Sequence, residues 1–106
     1  MATQWNIGAC SWSLQVKSIL ELEELLKKVG LEWTQIALGD PNHASWEEDD
    51  ATFVARVDKA AFRVSAAMLG FPGEDYTTPD HIRRTGGFGD AATRSERLEI
   101  LAWGLR

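Results

Sequence analysis

Three short strand-like runs, each followed by a helix-like run, constrain this 106-residue chain more than any other feature. The runs start near residues 5, 33 and 63, a spacing of about 29 residues. Such alternation predicts an α/β fold with a parallel sheet, because successive parallel strands connect through right-handed crossovers that carry a helix. Trp5–Cys10 is the first strand candidate, with Ser11-Trp12-Ser13 at its carboxyl end. Trp33–Leu38 is the second, rich in β-formers and closed by Gly39-Asp40-Pro41. Arg63–Ala67 is the third, within a run of small apolar residues of the kind seen in buried parallel strands.

The helices announce themselves by caps and spacing. Ser18-Ile19-Leu20-Glu21 is a capping box, in which each side chain takes up an orphan backbone donor. Ile19, Leu22, Leu25, Leu26 and Val29 follow on one helical face, Lys27 and Lys28 suit the negative end of the dipole, and Gly30 supplies the stop. The acidic cluster Glu47–Asp50 suits the positive start of a second helix, for which Phe53, Val54, Val57, Ala60 and Ala61 form a buried stripe. Thr93-Arg94-Ser95-Glu96 reads as another capping box, leading to a stripe of Leu98, Leu101, Ala102 and Leu105.

Between the third strand and that last helix lie some twenty residues punctuated by glycine and proline. Most βα loops have about 2 to 6 residues, and longer ones in a compact domain are usually functional or disordered. Ligand sites of α/β proteins gather at the carboxyl ends of their strands. Residues 68–92 therefore read as the lip of a binding site.

The chain is long enough for one modest core, so residues 1–106 read as one domain or part of one. A formal charge of −5 leaves no basic footprint for nucleic acid. No apolar run approaches the roughly 20 residues that span a bilayer, and the first residues do not read as a signal peptide. The single cysteine, Cys10, excludes an intramolecular disulfide and suits a reducing cytoplasm. Three strands are fewer than the five or six of a doubly wound sheet or the eight of a barrel, so the pattern reads as cut.

Several residues invite sharper readings. His43 with Asp40 would allow a metal site, though a loop histidine in solvent is the plainer reading. His81, beside Pro79 and Asp80 at a short helical turn, is similar. Glu74 and Asp75 would order a sugar or cation, or simply be solvated. Cys10 has no histidine near it in sequence and reads as a small buried hydrophobe. Gly87–Ala92 formally fits a dinucleotide-binding pattern but lies too far from the preceding strand. Arg83 and Arg84 would meet a phosphate or lie paired on the surface, and Trp103 falls off the last helix's apolar stripe.

Ile7–Ser13, Gln35–Pro41 and Ser65–Tyr76, with Ile82–Phe88 after them, resemble the sugar phosphate isomerase/epimerase family. The resemblance covers the whole chain but only the first three βα units of that family's xylose isomerase-like (β/α)8 TIM barrel. It implies metal-assisted isomerisation or epimerisation of a small sugar, polyol or related keto compound. It also implies a divalent metal (Mn, Mg, Zn or Co) held by acids and histidine on later strands of the full-length protein. No metal ligand or catalytic carboxylate carries over to these residues, so no cofactor and negligible activity are expected of this chain alone. What carries over is a pocket wall of Trp12, Gln35, Met68 and Phe71. Alternation sets Gln35 and Ala37 on one strand face, and the polar Gln35 is the better candidate for the barrel interior. Trp12 as a stacking platform and Trp12 as core remain equally supported. A second reading is a non-catalytic partial barrel that self-associates into a homo-oligomer and binds a small ligand.

Overall fold

In the computed structural model, which describes residues 4–42 and 44–106, α1 (Ile19–Val29) forms where cap and apolar spacing agree. The Ser18 hydroxyl accepts the Glu21 N–H at 3.2 Å. The return arm of the box lands one residue early, because Glu21 Oε2 accepts the N–H of Lys17 at 3.0 Å. Gly30 ends the helix at φ 76°, a left-handed conformation that costs glycine little. Ile19, Leu22 and Leu26 are buried, whereas Val29 is exposed.

Described residues form a three-stranded parallel sheet of order β1-β2-β3, from β1 (Gly8–Cys10), β2 (Trp33–Gly39) and β3 (Arg63–Leu69), an α/β arrangement. β1 pairs with β2 in the register Gly8↔Trp33, Ala9↔Thr34, Cys10↔Gln35. The strand expected from Trp5 begins only at Gly8, and Trp5 and Ile7 are exposed. The third strand runs two residues further than expected, and six of its seven residues are exposed rather than buried. As an outer strand it has one strand neighbour.

α2 (Asp50–Lys59) starts after Asp49, whose carboxylate accepts the Thr52 N–H at 2.8 Å. Its expected stripe is not a buried one: Phe53 and Val57 are half-buried and Val54 is exposed. The neighbouring Phe62 is buried instead. The long loop contains α3 (Pro79–Thr85), capped by Thr78. α4 (Ala91–Gly104) begins two residues before Thr93, because Asp90 takes the cap and accepts the Ala92 N–H at 2.9 Å. The buried residues of α4 are Arg97 and Ile100, while Leu98 and Leu105 of the expected stripe are exposed.

Contacts divide the chain into two compact units, residues 1–37 with 45–68, and residues 38–44 with 69–106. In the first, α1 packs against α2, and Ile19, Leu22, Leu26, Ile36 and Phe62 form the core. In the second, Ile100 is the buried hydrophobe.

Candidate functional site

In the first unit, alternation along β2 separates two environments. Thr34 and Ile36 are buried, whereas Trp33, Gln35 and Ala37 are half-buried on the other face. The Thr34 hydroxyl is accommodated because it donates to Ala9 O at 2.8 Å. On the more open face a cleft of about 220 Å³ is lined by Asn6, Gly8, Cys10, Trp33, Gln35 and Ser65 among others. The register brings Cys10 beside Gln35, and Cys10 Sγ lies 3.8 Å from Gln35 Oε1. Ser65 donates from its hydroxyl to Thr34 O at 3.2 Å. At the rim the Arg63 guanidinium stands 5.7 Å over the Trp33 ring. Gly8 is required here, since a Cβ would overlap the Trp33 carbonyl.

Past β1, the Ser11 N–H donates to Gln35 O at 2.9 Å, and the Ser11 hydroxyl accepts the Ala37 N–H at 3.0 Å. A side chain thus continues the ladder where the strand turns away. The turn that follows holds Trp12: the Ser13 and Leu14 N–H groups both point to Cys10 O, and the Gln15 N–H donates to Trp12 O. Trp12 is 40% exposed, so its ring is outside the buried core of this unit. Met68 is equally exposed, but it lies three residues from Ser65, so alternation sets it on the opposite face of β3 from the cleft.

Two further residues stabilise this unit and were not singled out from sequence. Trp46 donates from Nε1 to Ala37 O at 2.7 Å and packs on Phe53 at 5.2 Å. Glu48 Oε1 accepts the Ile19 N–H at 2.8 Å and Arg56 Nη1 at 3.0 Å, with only 2% of its side chain exposed. Burial pushes the Glu48 carboxyl up, but the Ile19 N–H, its own N–H and Arg56 outweigh this and hold it below its ordinary value. Only the partner 29 residues away distinguishes Glu48 from its acidic neighbours, so composition could not.

Phe71 belongs to the second unit, where Glu74 and Arg97 organise the loop. Glu74 accepts the Phe71 N–H through Oε1 and the Gly87 N–H through Oε2, each at 3.1 Å. Arg97, 2% exposed, donates to Gly87 O at 2.5 Å and Pro72 O at 3.2 Å, and its guanidinium lies 5.5 Å over the Phe71 ring. Phe71 and Phe88 meet edge-on at 5.2 Å. The Tyr76 phenol is raised above its ordinary value, chiefly because it donates to Glu74, with burial and the Glu74 charge adding and Arg97 opposing. Glu74 is therefore a structural tie rather than a solvated acid. Asp75 accepts from the Thr77 N–H and hydroxyl, which hold its carboxyl below the ordinary value.

The remaining candidates find local roles. His81 Nδ1 lies 2.7 Å from the Thr78 hydroxyl. Arg83 and Arg84 pair with Asp80 at 2.7 and 2.8 Å. The Gly87–Ala92 segment offers no free cradle at its ends, since the Gly87 and Ala92 N–H groups are taken by Glu74 and Asp90. His43 lies outside the described residues, and Asp40 Oδ1 accepts the Asn42 N–H at 2.8 Å. Among the described residues, no group of three or more His, Cys, Asp or Glu could hold a metal ion. No helix among them is long and apolar enough to cross a membrane. Comparison with protein-family models, curated proteins and solved structures finds no match to this chain.

Proposed function

We propose that this chain forms the first three βα units of a sugar phosphate isomerase/epimerase-like barrel, and that it binds substrate without performing the chemistry. The observation that carries this reading is the polarity of the open sheet face. An order of three consecutive parallel strands suits a barrel wall, and it also suits the 3-2-1 half of a Rossmann sheet. A flavodoxin-like sheet would place β1 between β2 and β3, which this sheet does not. A Rossmann sheet covers both faces with helices and makes both apolar. A face carrying Cys10, Gln35 and Ser65 around a cleft favours a barrel interior over a sheet covered on both faces.

In this reading the substrate is a small sugar or polyol of the cytoplasm, not nucleic acid or membrane. The Gln35 amide hydrogen-bonds a hydroxyl or carbonyl, and Trp12 offers an aromatic face to C–H groups. No step runs through a metal on these residues. The test is turnover: the purified chain, incubated with an aldopentose and Mn²⁺ or Mg²⁺, yields no ketose or epimer above a metal-only control. Sustained interconversion would overturn the division between binding and chemistry.

The exposed outer strand β3 favours a second reading, a non-catalytic partial barrel that self-associates. Light scattering separates them, because a discrete, stable oligomer supports self-association and a monomer does not.

A further inference from the structure

The outer strand β3 has an open edge that is self-complementary. The Arg63 N–H donates to Glu32 O at 2.7 Å, and the Ser65 hydroxyl donates to Thr34 O at 3.2 Å. The backbone groups of Arg63 therefore point to β2, and in a parallel ladder those of every second residue, Ser65 and Ala67, do likewise. The N–H and C=O groups of Val64, Ala66 and Met68 point the other way, where β3 borders no further strand among the described residues. Alternation sets these three side chains on the face opposite Ser65, and Val64 and Met68 are each 40% exposed.

Natural sheet edges are blunted by charge, proline, bulges or brevity. β3 has seven residues, no proline, and no charge beyond Arg63 at its start. β1, the other edge, is three residues long and too short to match it. Pairing β3 with β1 of a second copy would also be head-to-tail and would not close, whereas β3 against itself obeys a two-fold axis and stops at two copies. An axis at Ala66 runs β3 antiparallel to its copy. All three outward residues then form hydrogen-bonded pairs, Ala66 with Ala66 of the second copy and Val64 with its Met68 on either side. Small and apolar side chains meet across the axis. The two Arg63 residues fall about 20 Å apart, at opposite ends of the pair and beyond the screening length.

We propose that two copies of this chain associate through an antiparallel β3–β3 pair centred on Ala66. This rests on the self-association reading above and names its interface.

The test follows the average mass of the full chain by sedimentation equilibrium at rising concentration. The expected result is a rise from 11.8 kDa toward twice that value and no further. Over the same range, amide exchange slows about tenfold at Val64, Ala66 and Met68 and stays unchanged at Ser65 and Ala67. Ala66→Lys and Ala66→Glu each set like charges face to face and weaken dimerisation about tenfold, with circular dichroism as in the wild type. An equimolar mixture of the two variants restores the dimer, which misfolded chains do not. A chain that stays monomeric at every concentration overturns both the proposal and the self-association reading. A discrete dimer that leaves the Val64, Ala66 and Met68 amides unprotected, or one indifferent to both substitutions, overturns this interface and leaves self-association standing. Growth past two copies does the same, because it points to an open head-to-tail contact.

Discussion

Replacing Glu48 with alanine tests how the segment before α2 is fastened to α1. The variant loses a charge-assisted bond to the Ile19 N–H, worth about 1.5–3 kcal/mol, at a helix start where that donor is left buried. It also loses an ion pair with the half-exposed Arg56, worth roughly 0.5 kcal/mol. Against this, the change removes Oε2, a buried oxygen without a hydrogen-bond partner, which returns about 1 kcal/mol. The expected net loss is about 2 kcal/mol, or roughly 10 °C in Tm for a domain of this size. The folded-state pKa of Glu48 is depressed, so its contribution is complete above the ordinary carboxyl value of 4.5 and fades as pH falls through the folded one. Urea unfolding followed by circular dichroism at about pH 7 and about pH 3 should therefore show the wild type and Glu48→Ala converging in acid. A gap below about 0.5 kcal/mol at neutral pH, or one of equal size at both, would refute the reasoning.

Two other substitutions probe the sheet. Gly8→Ala pushes a methyl group into the Trp33 backbone and should cost about 2 kcal/mol in urea unfolding, with β1 amides losing protection first. A neutral Gly8→Ala would mean β1 is not paired as described. Trp46→Phe keeps the ring contact with Phe53 but leaves Ala37 O without the Nε1 donor, for an expected loss of about 1 kcal/mol. No measurable change would show that water replaces the donor.

Where local signals agreed, the sequence was readable. α1 has a cap, a stripe and a glycine stop that all point to the same span, and its buried residues match three of the five expected. α4 shows the opposite case. Thr93 has the form of a cap, but Asp90 presents a carboxylate and Ala91 and Ala92 are strong helix formers, so the helix starts earlier. Its apolar stripe was misread because Arg97 is buried through carbonyls as distant as Pro72, 25 residues away, which no local pattern records. Alternation grouped Gln35 with Ala37, and both are half-buried on the face opposite Thr34 and Ile36. Cys10 and Ser65 joined it only through strand register, a long-range property. Met68 was misplaced because an apolar run gives no sign of which face each residue takes.

The measurement that tests the central claim most directly is a titration of the amide-labelled chain with xylitol, read at the sheet. The account predicts saturable shifts at Cys10, Gln35 and Ser65, weakened about tenfold in Gln35→Ala without a change in fold. Shifts that miss β1 and β2, or that survive Gln35→Ala undiminished, would contradict it.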